Sequence, residues 1–196
     1  MQTIEKLYSI HSGVNRVLLL GAAPCLKDDL EKVVVEDSDL IIGLNSVFMS
    51  KHKIDYLFFA CRVFVGIYQS KLQKHMPIIH ADNLGNFGHD QEFVYRPVWG
   101  GSEKRDRRLA AGHSVLVPAL NFATLLQPKS ILLLGVDMSN NGHWYGKGRG
   151  RVNRRFPCYQ KIKKQVSEVI RKNRGSNIFS VYRDGLLVRD GVLKCL

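Results

Sequence analysis

Residues 16–30 read RVLLLGAAPCLKDDL. Four apolar residues run without a break into Gly21, then come two alanines, Pro24 and an acidic, helix-like segment. A continuous rather than alternating apolar run is what a strand covered on both faces requires. Gly21 ends the strand without a side chain, Ala22 and Ala23 keep the turn slim, and Pro24 suits the opening of a helix. Strand, tight turn and helix in this order open a doubly wound α/β domain. The turn fits neither G-x-G-x-x-G nor G-x-x-x-x-G-K-[ST]. Any anion affinity would come from its backbone N–H groups and the positive end of the helix. Close strand–helix packing explains the same residues equally well.

Outward from this unit, strand-sized apolar runs fall at Val17–Gly21, Leu40–Leu44, Tyr56–Phe59, Pro77–His80, Phe93–Val98, Ile131–Gly135 and Ile178–Val181. They alternate with helical patterns at 25–36, 63–75, 114–127 and 157–173. In the last of these, Ile162, Val166, Val169 and Ile170 form one apolar stripe, with Lys161, Lys163, Lys164 and Arg171 mostly on other faces. The alternation predicts a Rossmann-like, doubly wound, mostly parallel sheet with helices on both faces. A length of 196 residues suits a single domain,. Its expected core covers about residues 15–182, with an irregular basic loop at 136–156.

An apolar fraction of 45% supports a folded chain,. Val17–Ala23 is far shorter than the roughly 20 residues of a membrane span, and it follows a mixed polar leader unlike a signal peptide. Cys25, Cys61, Cys158 and Cys195 have neither paired spacing nor histidine partners at zinc-site intervals, so they read as reduced thiols of a cytoplasmic protein. The net charge is +12. Residues 147–174 carry much of it, with eleven Lys or Arg against the single acid Glu168. Such a block is either a solvated face or a surface for an anionic partner: nucleotide phosphates, an acidic glycan, nucleic acid or an anionic membrane.

Loops leaving the carboxyl ends of strands line the ligand crevice of an open parallel sheet. The loop after Ile131–Gly135 offers Asp137, Ser139, Asn140, Asn141, His143, Trp144 and Tyr145, a mixture of hydrogen-bonding and aromatic groups suited to a ligand pocket. His143 reads as a general base or as an exposed loop histidine. A second candidate, RLAAGHS at 108–114, supplies Arg108 for a two-pronged bond to an anion, Gly112 for close backbone approach and Ser114 as a helix cap. Arg108 is equally a surface arginine of the run 104–108.

Taken in order, GAAPCL at 21–26, IGLN at 42–45, RLAAG at 108–112 and LGVDMSNNGHWY at 134–145 resemble the motif series of the glycosyltransferase family 42 bacterial sialyltransferases. They resemble equally the wider set that includes the motility accessory factors of flagellin glycosylation. The resemblance implies inverting, metal-independent transfer of a sialic-acid-type sugar from a CMP-sugar donor to a glycan or glycolipid hydroxyl, without a cofactor. It places Gly21, Ala22 and Asn45 against the nucleotide and matches Arg108 and Gly112 to an R-x-x-x-G stretch. His113, Ser114, Asp137 and Ser139 complete the expected donor site. Tyr145 stands where the family's tyrosine stabilises the leaving phosphate, and donors aimed at that developing charge lower the barrier.

Departures accompany the likeness. Ser139 replaces a tyrosine, Ala60 stands where a donor-contacting asparagine is expected, and no histidine follows His143 to act as base. Acceptors of this kind sit at membranes, so peripheral contact with an anionic inner membrane face is a further expectation. Two other readings stay open. A pyrophosphokinase-like or simply nucleotide-binding relative would hold a divalent ion on carboxylates, for which Asp137 is available but no second acid is evident. A non-catalytic nucleic-acid-binding protein would use the cations of 147–174, but no helix-turn-helix, zinc module or RNA-binding aromatic signature accompanies them.

Overall fold

The apolar run at 17–20 forms the pivot of one parallel sheet. The computed structural model describes residues 1–98, 108–138, 158–173, 175 and 177–196. The strands are β1 (Gln2–Thr3), β2 (Arg16–Leu20), β3 (Leu40–Leu44), β4 (Tyr56–Phe59), β5 (Ile78–Ala81), β6 (Glu92–Val98), β7 (Arg108–Ala110), β8 (Ser130–Leu134), β9 (Asn177–Ser180) and β10 (Lys194–Cys195). The helices are α1 (Glu5–Ile10), α2 (Leu26–Glu31), α3 (Arg62–Tyr68), α4 (Leu116–Leu125), α5 (Tyr159–Lys172) and α6 (Leu186–Arg189). The strand order is β1-β6-β5-β4-β3-β2-β8-β9-β10, with β7 pairing β6, and the pairings are parallel.

From β2 the chain steps outward through β3, β4, β5 and β6, then returns to place β8 on the other side of β2. Right-handed crossovers put helices on opposite faces when the direction of stepping reverses. The core divides accordingly. Leu26 of α2 packs with Leu18, Leu20, Leu132 and Leu134, and Phe64 of α3 with Leu57, Phe59 and Ile78. The alternate residues Val17, Leu19, Phe58 and Leu133 face α1, α4, α5 and α6 on the other side. The doubly wound architecture expected from the sequence is therefore present, and each central strand is covered twice.

Every residue of α4 is buried, so it is enclosed on all sides, whereas α5 buries Ile162, Val166 and Val169 and keeps most of its cations outward. Lys163 pairs with Asp190 at 3.0 Å. At the amino end of the sheet, Arg16 grips the buried Asp39 with two hydrogen bonds of 2.7 and 2.6 Å. That clamp sits one residue ahead of the Val17–Leu40 pairing and fixes the β2–β3 register.

Differences from the sequence reading are local. Helix α2 ends at Glu31 rather than 36, because Val33, Val34 and Val35 are β-branched and lose rotamer freedom in a helix,. Helix α3 stops at Tyr68 and continues only as a short 3-10 turn, Gln69–Lys71. The strands β1, β7 and β10 and helices α1 and α6 were not expected; none of these strands exceeds three residues. No helix among the described residues is long and apolar enough to cross a membrane.

At the centre, a Cβ added to Gly21 would strike the carbonyl oxygen of Gly135, and one added to Gly135 would strike that of Gly21. Gly135 also has φ +64°, a conformation that favours glycine. Gly21→Ala should therefore lower unfolding stability by about 3 kcal/mol. Gly66→Ala, whose Cβ would meet nothing within 4 Å on exposed α3, should raise it by a few tenths to about 1 kcal/mol. Urea denaturation of the two variants checks both signs.

Candidate functional site

The switch in strand order falls between β2 and β8, and in open α/β sheets ligands bind outside the carboxyl ends at such a point. Leu20 lies across from Gly43 and from Leu134. The residues that follow, Gly21–Ala22, Leu44–Asn45 and Gly135–Asp137, therefore emerge side by side on one rim. Gly21, Ala22, Asn45 and Asp137, four of the residues expected at a donor site, are brought together there.

The turn after β2 is bound into the scaffold. Gly21 donates its N–H to the Leu134 carbonyl at 2.7 Å and Ala23 donates to that of Gly135 at 3.1 Å. These amides hold β8, so the expected anion cradle from this turn's main chain is not what the fold builds. Helix α2, of six residues, adds little dipole. Its Asp29 is fully buried and its Oδ2 accepts from the Gly135 N–H at 2.8 Å. A carboxylate thus locks the second glycine as the backbone contact locks the first.

Asn45 behaves differently. It sits just past β3 with φ +50°, and its Oδ1 is buried with no hydrogen-bond partner among the described residues. Asparagine tolerates the left-handed region better than most residues. Leaving a buried acceptor unpaired costs roughly 1–3 kcal/mol. Such a group on a crevice rim is suited to a ligand's donor.

The second expected segment reaches the rim from the far edge. Arg108 is exposed at the start of β7, opposite Arg96 of β6, several strands from β2, so β7 does not bring it to the Gly21–Asn45 cluster. The chain then turns into α4, whose start lies at the carboxyl end of the sheet because the helix runs back towards the entry of β8. Gln165 of α5 grips this start, accepting from the His113 N–H at 3.2 Å and donating to the Ala111 carbonyl at 3.4 Å. Since α5 links β8 to β9, that grip draws 111–113 towards the switch-point side. Ser114 Oγ accepts from the Leu116 N–H at 3.2 Å, but it stands one residue ahead of the N-cap, which is Val115 and makes no side-chain cap bond. A Cβ on Gly112 would lie 2.5 Å from Val117 Cβ, so intramolecular packing requires this glycine. At the start of α4 the Leu116 and Val117 amides are engaged by Ser114, and at the start of α2 the Leu26 amide by the Ala23 carbonyl.

Asp137 is buried, and its carbonyl accepts from the Leu186 N–H at 3.0 Å. This bond stitches the turn after β9 to the end of β8 and brings in Tyr182, Arg183 and Asp184, which the sequence reading passed over. Their signal was positional: an apolar strand ending at Val181 puts 182–184 on the same rim. Burial pushes the Tyr182 hydroxyl up, reinforced by Cys25, Asp184, Asp137 and Asp29 around it. Burial, with Asp29 and Asp137 nearby, also pushes up the Cys25 thiol, keeping it protonated and weakly nucleophilic. The described residues contain no cluster of three metal-ligating side chains. Ser139, His143, Tyr145 and the basic 147–156 loop lie outside the described residues.

Comparison with profiles of known protein families, with curated proteins and with solved structures finds no match to this chain.

Burial raises the Asp29 carboxyl above its ordinary value of 3.8, against the lowering effect of the Gly135 N–H and Lys32. The folded protein thus keeps a proton that the unfolded chain releases near that value. Stability contributed by this group falls as pH rises from there through the folded value, then levels. Asp29→Asn retains an acceptor for Gly135 without the ionisation. The stability difference, variant minus parent, should grow with pH across that window and end at or above zero near neutrality, as read by urea denaturation at stepped pH.

Proposed function

We propose that the chain binds a nucleotide at the β3–β2–β8 rim and uses it as a CMP-sugar donor for glycosyl transfer. The observation that carries the nucleotide site is Asn45. It is held at positive φ beside Gly21 at the switch point, with a buried side-chain oxygen lacking a partner among the described residues. A nucleotide offers ring amino or sugar hydroxyl donors for it. The transfer itself rests on the motif resemblance, which assigns Tyr145 to the leaving phosphate and leaves His143 as base. In that reading, the exposed Arg183, just past β9 on the same rim, is the cation that meets an anionic donor or acidic glycan.

Metal-dependent pyrophosphoryl transfer is the second reading. One observation bears on it: Asp184 and Asp137 both raise the Tyr182 hydroxyl, although the described residues contain no cluster of three metal-ligating side chains. Turnover that persists in excess chelator excludes it.

A thermal-shift panel over CMP, CDP, UDP, GTP and ATP, with and without magnesium, tests the site, since only ligands preferring the folded state stabilise it. Magnesium-independent stabilisation by CMP is expected, and Asn45→Ala should weaken CMP binding by about tenfold. Equal CMP affinity in parent and variant would remove Asn45 from the site. Tyr145→Phe should lower kcat more than it changes KM, because its hydroxyl is assigned to charge that develops only in the transition state.

A further inference from the structure

Away from the rim, α3 presents an apolar ridge to solvent. Phe64, Val65 and Tyr68 turn inward onto Leu57, Phe59 and Ile78. Val63 and Ile67, one helical turn apart on the opposite side, are 70% and 57% exposed. The intervening Gly66 is also exposed, so the ridge is bare of covering side chains. Both aliphatics lie on one stripe by the i, i+4 rule.

Exposed cations lie at both ends of this helix. Arg62 begins the helix, and Lys71 and Lys74 follow its end before β5; all three are exposed. Lys51 and Lys53, also exposed, enter β4 at the same amino-terminal edge of the sheet. The strands β4 and β5 are neighbours, so the two lysine pairs flank the lower end of α3. Lys71 Nζ stands 5.8 Å from the Tyr68 ring centroid, which ties that cation to the helix. From 51 to 81 the only acid is Asp55, and its Oδ2 accepts the Ile41 N–H at 2.8 Å, facing the sheet; the exposed Asp82 and Asp90 follow, the latter donating its N–H to the Lys74 carbonyl at 3.1 Å, so the five cations outnumber the acids near them.

We propose that the outer face of α3 docks on an anionic lipid bilayer, with Val63 and Ile67 entering the headgroup–acyl boundary and Arg62, Lys51, Lys53, Lys71 and Lys74 meeting the headgroups. Short apolar ridges flanked by lysine and arginine bind such surfaces through buried apolar area plus attraction to anionic lipid. Charge complementarity selects this occupant. In a two-fold pairing through α3, each copy would bring the same lysines towards its partner's, in a protein that already carries +12. Nucleic acid would use the cations but leave the aliphatic ridge without a role. The inference stands apart from the nucleotide site and uses none of its residues.

Co-sedimentation of the full chain with vesicles tests it, comparing phosphatidylcholine alone with phosphatidylcholine containing about 30 mol% phosphatidylserine at about 0.1 M salt. The parent should sediment only with the anionic vesicles. The double variant Val63→Ser, Ile67→Ser should lose binding by at least about tenfold, and so should Lys71→Glu, Lys74→Glu. All four positions are exposed, and circular dichroism with thermal melting verifies that both variants fold. Parent-like binding by either variant would overturn the assignment and shift attachment to the 147–174 cations. Absence of anionic-vesicle binding by the parent overturns it outright. So does a parent dimer in sedimentation velocity that the serine variant converts to monomer, which would make the ridge a contact between copies.

Discussion

Two glycines that cannot carry a side chain hold this fold together at its centre. Gly21 and Gly135 end neighbouring strands and press backbone against backbone, and each one's carbonyl occupies the space where the other's Cβ would stand. Around that contact the chain adds hydrogen bonds from Gly21 and Ala23 to β8 and from Gly135 to the buried Asp29. The same contact fixes the place where strand order reverses. The position at which an open parallel sheet offers its carboxyl rim to ligands is therefore set by how β2 and β8 close on one another.

That arrangement changes the meaning of the opening sequence motif. GAAPCL reads as a slim turn able to offer amides to a phosphate. In the folded chain the amides of Gly21 and Ala23 point sideways into β8, so packing accounts for the glycine. Asn45 gains weight in exchange: a polar side chain at positive φ on the same rim, with an oxygen that the described scaffold leaves unpaired. The electrostatics around Tyr182 add Asp137 and Asp184 to this picture, and they lend the rim an acidic corner within a basic protein.

Most of the architecture was legible in the sequence because buried parallel strands advertise themselves. VLLL, LIIGL, YLFF and ILLL are continuous apolar runs, and helix-sized gaps between them leave little choice of topology. What escaped notice has little sequence signature. Strands of two or three residues such as β1, β7 and β10 have no room for periodicity, and the three valines that end α2 are apolar enough to pass for helix. The rim was legible as a set of strand ends. Which group on it pairs with the backbone and which faces outward is a matter of tertiary geometry, as Asp29 shows: its side chain bonds an amide 106 positions away.

Helix α4 has a consequence of a different kind. With every residue enclosed, its peptide groups meet solvent only if neighbouring layers separate, so its slowest proton exchange follows opening of the whole molecule rather than fraying of one element. Gln165 ties the segment ahead of this helix to the middle of α5. This enclosed backbone begins a few residues from the rim and gives that edge a stiff floor.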